Sequence, residues 1–563
     1  MLKNDEFILE ITDVTTDGSG IGKLDGMAVF VPLTAVGDVV RVKALKVKKT
    51  HAFGKAVEII TPSKDRIEND CPYFNRCGGC VFRHISYDAE LRLKTDKVRE
   101  ALKRIGGVDL PPQPIMFSGD LRYRNKAQYP LSEDGKVGFY AFHSHRIIPC
   151  DDCLLQPEIF AKISEAVTEF VKEFNISIYN EEKHTGLLRH LYIRKGQITE
   201  EIMVTFVING DSLPKYDIII HRLKEICGEK LKSVVLNINK ENTNVILGDK
   251  CKTLYGRDYI TDILAGVKVR LSALSFYQVN NVMASRLYEK AAEYAKPEGK
   301  NIVDLYCGTG AIGLSMAKRA KSVIGVEIIP EAVKDAEFNA KENGIENARF
   351  ICGDAKYAAE QLKKESIKPD TVIVDPPRKG CDSEVIKIIA NDFCPQSVVY
   401  ISCDPATLAR DVKIFKDLGY GLLEYTPADL FPRTAHVETV ALLGRESVEH
   451  YMKLHAEPFE MIKSGRKTIE LRLWDEKRQK IKIGDTVVFT NTISGEKLKA
   501  TVLNLYRFDS YEELYKELPL LKCGYTEDDI DTAQASDMEA YYSADEQAKY
   551  GVVGIEISCM NEQ

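Results

Sequence analysis

With 563 residues the chain is long enough for three or four domains, and 44% apolar with 29% charged residues is a globular balance, which excludes a one-core miniprotein. No run of about 18 apolar residues could span a bilayer, and the start MLKNDEFILE lacks a signal-peptide pattern, so the reading is cytoplasmic, with no membrane partner and no inferable protein partner. A net charge of -7 taken alone argues against nucleic acid, but the acid excess lies after residue 445, where 15 basic residues face 23 acidic ones.

Residues 1–62 alternate in short stretches (EFILEIT, AVFVP, DVVRVKALKV, GKAVEII) between glycine turns, predicting a small antiparallel β-barrel. Within it, residues 41–55 carry six Lys or Arg and no acid, on a strand ladder where basic and aromatic side chains can line a nucleic-acid groove.

The next region, 63–155, holds CPYFNRCGGC and then an amphipathic helix through YDAELRLKTDKVREALKRI. Fourteen Cys in a reducing compartment are not expected to form disulfides. Cys71, Cys77 and Cys80 are spaced to wrap one centre, and a fourth thiolate could come from Cys150 or Cys153 in IIPCDDCLLQ. Zinc or an iron–sulfur cubane would both accept four thiolates; the uneven three-plus-one spacing favours the cluster.

Residues 156–270 read as a strand-rich α+β region, and from 271 to 445 strands alternate with helices, which implies a doubly wound parallel sheet. VDLYCGTGAIGL places Gly308, Gly310 and Gly313 after a strand and at the start of a helix. That spacing alone suits NAD, FAD or S-adenosylmethionine. Asp304 for an ammonium, Glu327 for ribose hydroxyls and Asp354 near an adenine favour the methyl donor, and Asp375-Pro376-Pro377-Arg378 would shape a slot for a planar base.

Cys403, in SCDPATLARD after the fifth strand, faces the same sheet edge, and the helix starting near Ala406 would turn its positive end to a thiolate. Thiolate addition to carbon 6 of uracil makes carbon 5 nucleophilic; a base must then remove the carbon-5 hydrogen. Glu438, at the start of an apolar strand, is the best candidate base and His436 the next. Residues 447–563 read as a separate appended domain holding the only Trp.

At these residues the chain resembles the iron–sulfur 23S rRNA (uracil-5-)-methyltransferases, with CPYFNRCGGC, YRNKAQ, SFYQVN, DLYCGTG, DPPRKG, SCDPATLARD and HVETVALL in that order over residues 1–445. The resemblance implies a TRAM barrel, a [4Fe-4S] cluster on Cys71, Cys77, Cys80 and Cys153, and S-adenosylmethionine on Gln278, Tyr306, Glu327, Asp354 and Asp375. It further implies Cys403 as nucleophile, Glu438 as base and RNA, most readily 23S rRNA, as partner. Ala311 departs from members with a polar residue there. The alternatives are a tRNA T-loop enzyme, whose relatives generally lack the cysteines, and a non-catalytic iron–sulfur RNA-binding protein. The tail resembles PUA-like ASCH domains; Lys467, Thr468 and Glu470 fit an amidohydrolase motif of some relatives, but an RNA-contacting or structural module is the preferred reading. The expected architecture is α/β multidomain, with basic strands at 41–55 and 463–482 and an acidic end at 509–562 that faces away from RNA.

Overall fold

The computed structural model describes residues 1–142 and 144–559; the last four residues of the predicted tail domain, Glu562 of its acidic end among them, lie outside the described residues. The chain forms two compact units, one of residues 1–415 and 422–443, the other of residues 416–421 and the chain from Gly444 on. Among the described residues no helix is long and apolar enough to cross a membrane.

Alternating burial closes the N-terminal strands into a six-stranded sheet, in the order Glu6–Glu10, Val39–Val47, His51–Thr61, Met27–Val31, Gly20–Leu24, Asp13–Val14, around Leu9, Val29, Val40 and Val42. The antiparallel expectation fails at one seam: Met27–Val31 runs parallel to His51–Thr61, because the latter strand follows Val39–Val47 by a hairpin and leaves its other edge to the earlier strand. Helix Tyr87–Arg104 is started by the Ser86 side chain, which accepts from the Ala89 N–H, and carries Asp88 and Glu90 in its first turn and Lys103 and Arg104 in its last, matching the helix dipole. A five-stranded sheet runs Lys250–Gly256, Leu231–Ile238, Ile202–Ile208, Leu188–Lys195, Lys126–Pro130. Helices Glu158–Glu173 and Tyr216–Cys227 bury Phe160, Phe170, Ile219 and Leu223 against it, each such side chain stabilising by about 1.5–3 kcal/mol.

The seven-stranded sheet that follows is ordered Ala348–Cys352, Ser322–Glu327, Asn301–Leu305, Thr371–Val374, Ser397–Ser402, Glu438–Arg445, Tyr420–Ala428, and its first five strands are parallel. Neighbouring register (Asp304 beside Gly325 and Ile373) brings the ends of these strands to one carboxyl edge, where such sheets bind ligands.

In the second unit five strands, Glu449–Leu454, Thr486–Asn491, Lys497–Phe508, Val552–Cys559 and Ile469–Leu473, pack on Phe459 and Ile462. The 463–482 stretch is not a basic strand. Only Ile469–Leu473 is extended, and four of the stretch's eight cations are paired with carboxylates: Lys467 and Arg472 with Glu470, Lys463 with Glu496, Arg478 with Asp475.

Candidate active site

Strand Asn301–Leu305 leads into a glycine loop. Gly310 has φ +79°, and a Cβ there would fall 2.9 Å from the Phe350 ring; a Cβ on Gly313 would fall 2.8 Å from Val323. Glycine is therefore required for both the turn and the close helix-to-strand approach. Asp304, fully buried, accepts from the Gly313 N–H at 2.9 Å through Oδ2, while Oδ1 has no partner. Burial pushes its carboxyl up to about 7.

Glu327 ends the second strand and accepts from three backbone N–H groups, of Gly308 at 3.1 Å, Ile328 at 2.9 Å and Ile329 at 3.0 Å. Asp354 caps the helix Ala355–Lys364 through the Tyr357 N–H at 2.8 Å. Tyr306 sits at φ +62°, a left-handed conformation rare for a bulky residue, with its hydroxyl toward Cys381. Gln278 meets the Tyr288 hydroxyl, and its carbonyl accepts from Asn125 Nδ2 at 3.0 Å. Asn125, in YRNKAQ, also donates its backbone N–H to the Val279 carbonyl at 2.8 Å, so it fastens the Gln278 loop. An unpartnered buried carboxylate oxygen and a glycine-lined backbone opening fit the ammonium and nucleoside of a bound sulfonium donor.

Asp375, Cys403 and Glu438 come together at the same edge. Cys403, half-buried, has its thiol pushed up to about 11 by burial and by Glu438 and Asp375, with Arg378 opposing. Glu438, 6% exposed at the first position of its strand, is raised to about 8 by burial and by Asp375; burial raises Asp375 to about 7. His436 is exposed, its ring edge-on to Phe431 with 6.0 Å between centroids.

The expected thiolate at a helix start is corrected. Helix Pro405–Asp417 begins one residue earlier, and Asp404 itself accepts from the Ala406 and Thr407 N–H groups at 3.0 and 2.9 Å, so the positive end is already neutralised. Behind the DPPRKG loop lies a buried network that sequence reasoning missed: Asp411 accepts from the Tyr400 hydroxyl at 2.6 Å and from the Cys381 N–H at 2.8 Å.

None of the fourteen cysteines forms a disulfide. Cys71, Cys77, Cys80, Cys150 and Cys153 line a single cavity of about 190 Å3. Arg122 fastens the Cys153 segment, gripping Asp152 with two bonds of 2.7 Å and the Cys153 carbonyl at 3.1 Å. Burial pushes the Cys80 thiol up to about 12 and that of Cys153 to about 11. Among the described residues no three His, Cys, Asp or Glu side chains form a metal-ligand group; the thiols lie around the cavity wall. On the barrel, Phe30, His51 and Phe53 form a cluster with centroids 5.3–5.6 Å apart, and Lys48 Nζ stands 5.7 Å over Phe53.

A doubly wound sheet with a glycine loop and acidic strand ends defines an S-adenosylmethionine-dependent methyltransferase fold. The family described as tRNA (Uracil-5-)-methyltransferase matches residues 86–446, a TRAM domain residues 3–57 and an ASCH domain residues 452–560. The chain belongs to that RNA uracil-5-methyltransferase family. An uncharacterized RNA methyltransferase of Halalkalibacterium halodurans is 45% identical over 448 residues, 78% of this chain and 97% of that one. One of Clostridium tetani is 42% identical over 78% of this chain and 96% of that one. The crystal structure of Pyrococcus abyssi tRNA (uracil-54, C5)-methyltransferase with S-adenosyl-L-homocysteine matches with a TM-score of 0.64 at 30% identity, covering 78% of this chain and all of that one.

Proposed function

We propose that this RNA methyltransferase methylates carbon 5 of a uridine in 23S rRNA, with Cys403 as nucleophile and Glu438 as base. Gln278, Tyr306, Glu327, Asp354 and Asp375 would hold S-adenosylmethionine, which when bound supplies an electrophilic methyl group. The observation that carries the reading is a buried glutamate, raised to about 8, as the electrostatic neighbour of a half-buried thiol.

Cys403 gives up its proton and its sulfur bonds to carbon 6, moving the carbon 5–carbon 6 π pair onto carbon 5 as an enolate. Carbon 5 is then nucleophilic toward the methyl group. Glu438 takes the hydrogen on carbon 5 as a proton; the electron pair re-forms the double bond, and the sulfur–carbon bond breaks to return the thiolate. A base whose pKa lies near working pH suits this last transfer.

The five thiols around one cavity support a [4Fe-4S] cluster on Cys71, Cys77, Cys80 and Cys153, with Arg83 and Arg124 on the same wall to offset its charge. The cysteines favour rRNA over tRNA, because the tRNA enzymes this chain resembles generally lack them. A tRNA substrate is the second reading, favoured by the full-length match to the Pyrococcus abyssi enzyme. Basic and aromatic side chains on the barrel suit single-stranded RNA.

Mass mapping of nucleosides after incubating the protein with 23S rRNA and, separately, with tRNA decides between these. 5-Methyluridine is expected in the rRNA and absent with Cys403→Ala, which still binds RNA. Methylation of tRNA alone overturns the substrate, and an active Cys403→Ala overturns the nucleophile.

A further inference from the structure

The chain that delivers Glu438 is fastened along its length to a distant part of the fold. Asp429 accepts from the Tyr87 hydroxyl at 2.7 Å and from Lys94 Nζ at 2.6 Å. The Phe431 carbonyl accepts from the same Lys94 at 3.1 Å, the Pro432 carbonyl from the Tyr123 hydroxyl at 3.1 Å, and the Ala435 carbonyl from Lys97 Nζ at 2.9 Å. Tyr87, Lys94 and Lys97 all lie in helix Tyr87–Arg104, and Tyr123 lies further along the same region.

Arg433 is the centre of this arrangement. It is buried and holds φ +67°, a left-handed conformation that persists in a residue with a Cβ only where its surroundings dictate it. Its N–H donates to Glu90 Oε1 at 2.7 Å and its carbonyl accepts from the Val81 N–H at 2.8 Å, one residue beyond Cys80. Its guanidinium donates to Asp120 at 2.6 Å and to the carbonyls of Ile85 at 2.9 Å and Phe82 at 3.3 Å. The arginine therefore spends every one of these bonds on the segment that continues the cysteine loop, on its helix and on Asp120.

We infer that Arg433 is a positioning residue that mounts Glu438 on the cysteine-rich segment. The strand bearing the base starts at residue 438 itself, so no ladder precedes it to fix its entry. The direction from which Glu438 reaches the site is set by where the chain leaves Arg433 and Ala435. Whatever holds Val81–Ile85 in place also holds the base, which gives the cysteine cavity a bearing on proton removal without touching the substrate.

This inference rests on Glu438 being the base, and one experiment separates the two. The full chain is incubated with its RNA and S-adenosylmethionine, and covalent protein–RNA adduct is measured on denaturing gels beside turnover. In Glu438→Gln the thiol still adds and carbon 5 is still methylated, but the hydrogen stays, so the adduct accumulates. Arg433→Gly accepts the left-handed backbone freely and deletes only the side chain. It is expected to lose about 100-fold in turnover, the usual worth of a general base, with KM for S-adenosylmethionine unchanged and the same adduct accumulating. Asp120→Asn, which keeps the arginine and loosens its grip, is expected to show the same signature more weakly, and decides the matter where Arg433→Gly does not fold. Wild-type turnover in both variants, or lost turnover without adduct, overturns the positioning role. Absence of adduct in Glu438→Gln overturns the base assignment and this inference with it.

Discussion

Glu438 and Glu470 are buried to nearly the same degree, 6% and 3% exposed, yet their carboxyls move in opposite directions. Burial raises Glu438 to about 8, and the neighbouring Asp375 adds to that. Burial alone would also raise Glu470, but Lys467 Nζ at 2.9 Å and Arg472 at 2.8 Å outweigh it and hold the carboxyl below its ordinary range. The company a buried carboxylate keeps, more than its depth, decides its character. One with two cations is a fixed anion that ties a fold together; one facing other carboxylates exchanges protons near neutrality, the property a base needs.

The contrast is broken most forcefully on the paired side. Lys467→Met leaves Glu470 with a single cation, and breaking a buried pair costs about 3–5 kcal/mol. Hydrogen exchange in the strands Ile469–Leu473 and Val552–Cys559 is expected to rise sharply. Adding Glu470→Gln to that variant is expected to deepen the loss, since Arg472 is then a buried cation with no carboxylate beside it. Unchanged exchange in the single variant would show that the ion pair does not hold this sheet.

On the unpaired side the contrast is sharpened by pH. On the proposed mechanism Glu438 works deprotonated and Cys403, raised to about 11, works as thiolate, so both groups would make activity climb as pH rises. Below about 8, kcat/KM is expected to increase roughly tenfold per pH unit, the slope of one essential deprotonation, or more steeply where both limit the rate. A profile flat between pH 6 and 8 would mean that neither group titrates where the geometry puts it.

What the sequence disclosed and what it hid follow the same division between local and distant. The glycine loop was legible because its spacing, the strand before it and the helix after it are adjacent in the chain, and Glu438 was legible as a carboxylate opening an apolar strand. The three close cysteines stood out for the same reason, whereas Cys150 and Cys153 cannot be told apart by spacing and line the one cavity together. The Arg433 mount was invisible: Tyr87 and Asp429, for example, meet across 342 positions, and nothing in FPRTAH marks the arginine's left-handed backbone. The acidic cap on the helix after Cys403 was a signal present but misread, since an Asp directly before Pro is a helix-capping pair whose side chain takes the N–H groups that a thiolate would need. The basic run at 463–482 misled in the opposite way, because charge counted along the chain cannot show that Lys467 and Arg472 turn inward to one glutamate.

The smallest expected effect tests the unpaired glutamate through stability. Its carboxyl is raised in the fold from an ordinary value near 4.5 to about 8, so the folded protein binds a proton more tightly than the unfolded chain does. Below 4.5 both states are protonated and folding gains nothing from the shift; as pH rises from there to about 8 the unfolded chain ionises first, and stability falls across that window. Glutamine mimics the protonated carboxyl at every pH. Glu438→Gln is therefore expected to melt with the wild type at pH 4.5 and above it at pH 8, by about 5 °C for a unit of this size. Measured by calorimetry in the absence of RNA, a gain that grows with pH marks a carboxylate the fold tolerates for its chemistry. An equal or lower melting temperature at pH 8 would mean that Glu438 has a cationic partner after all, and would place it with Glu470 among the residues that only hold the structure together.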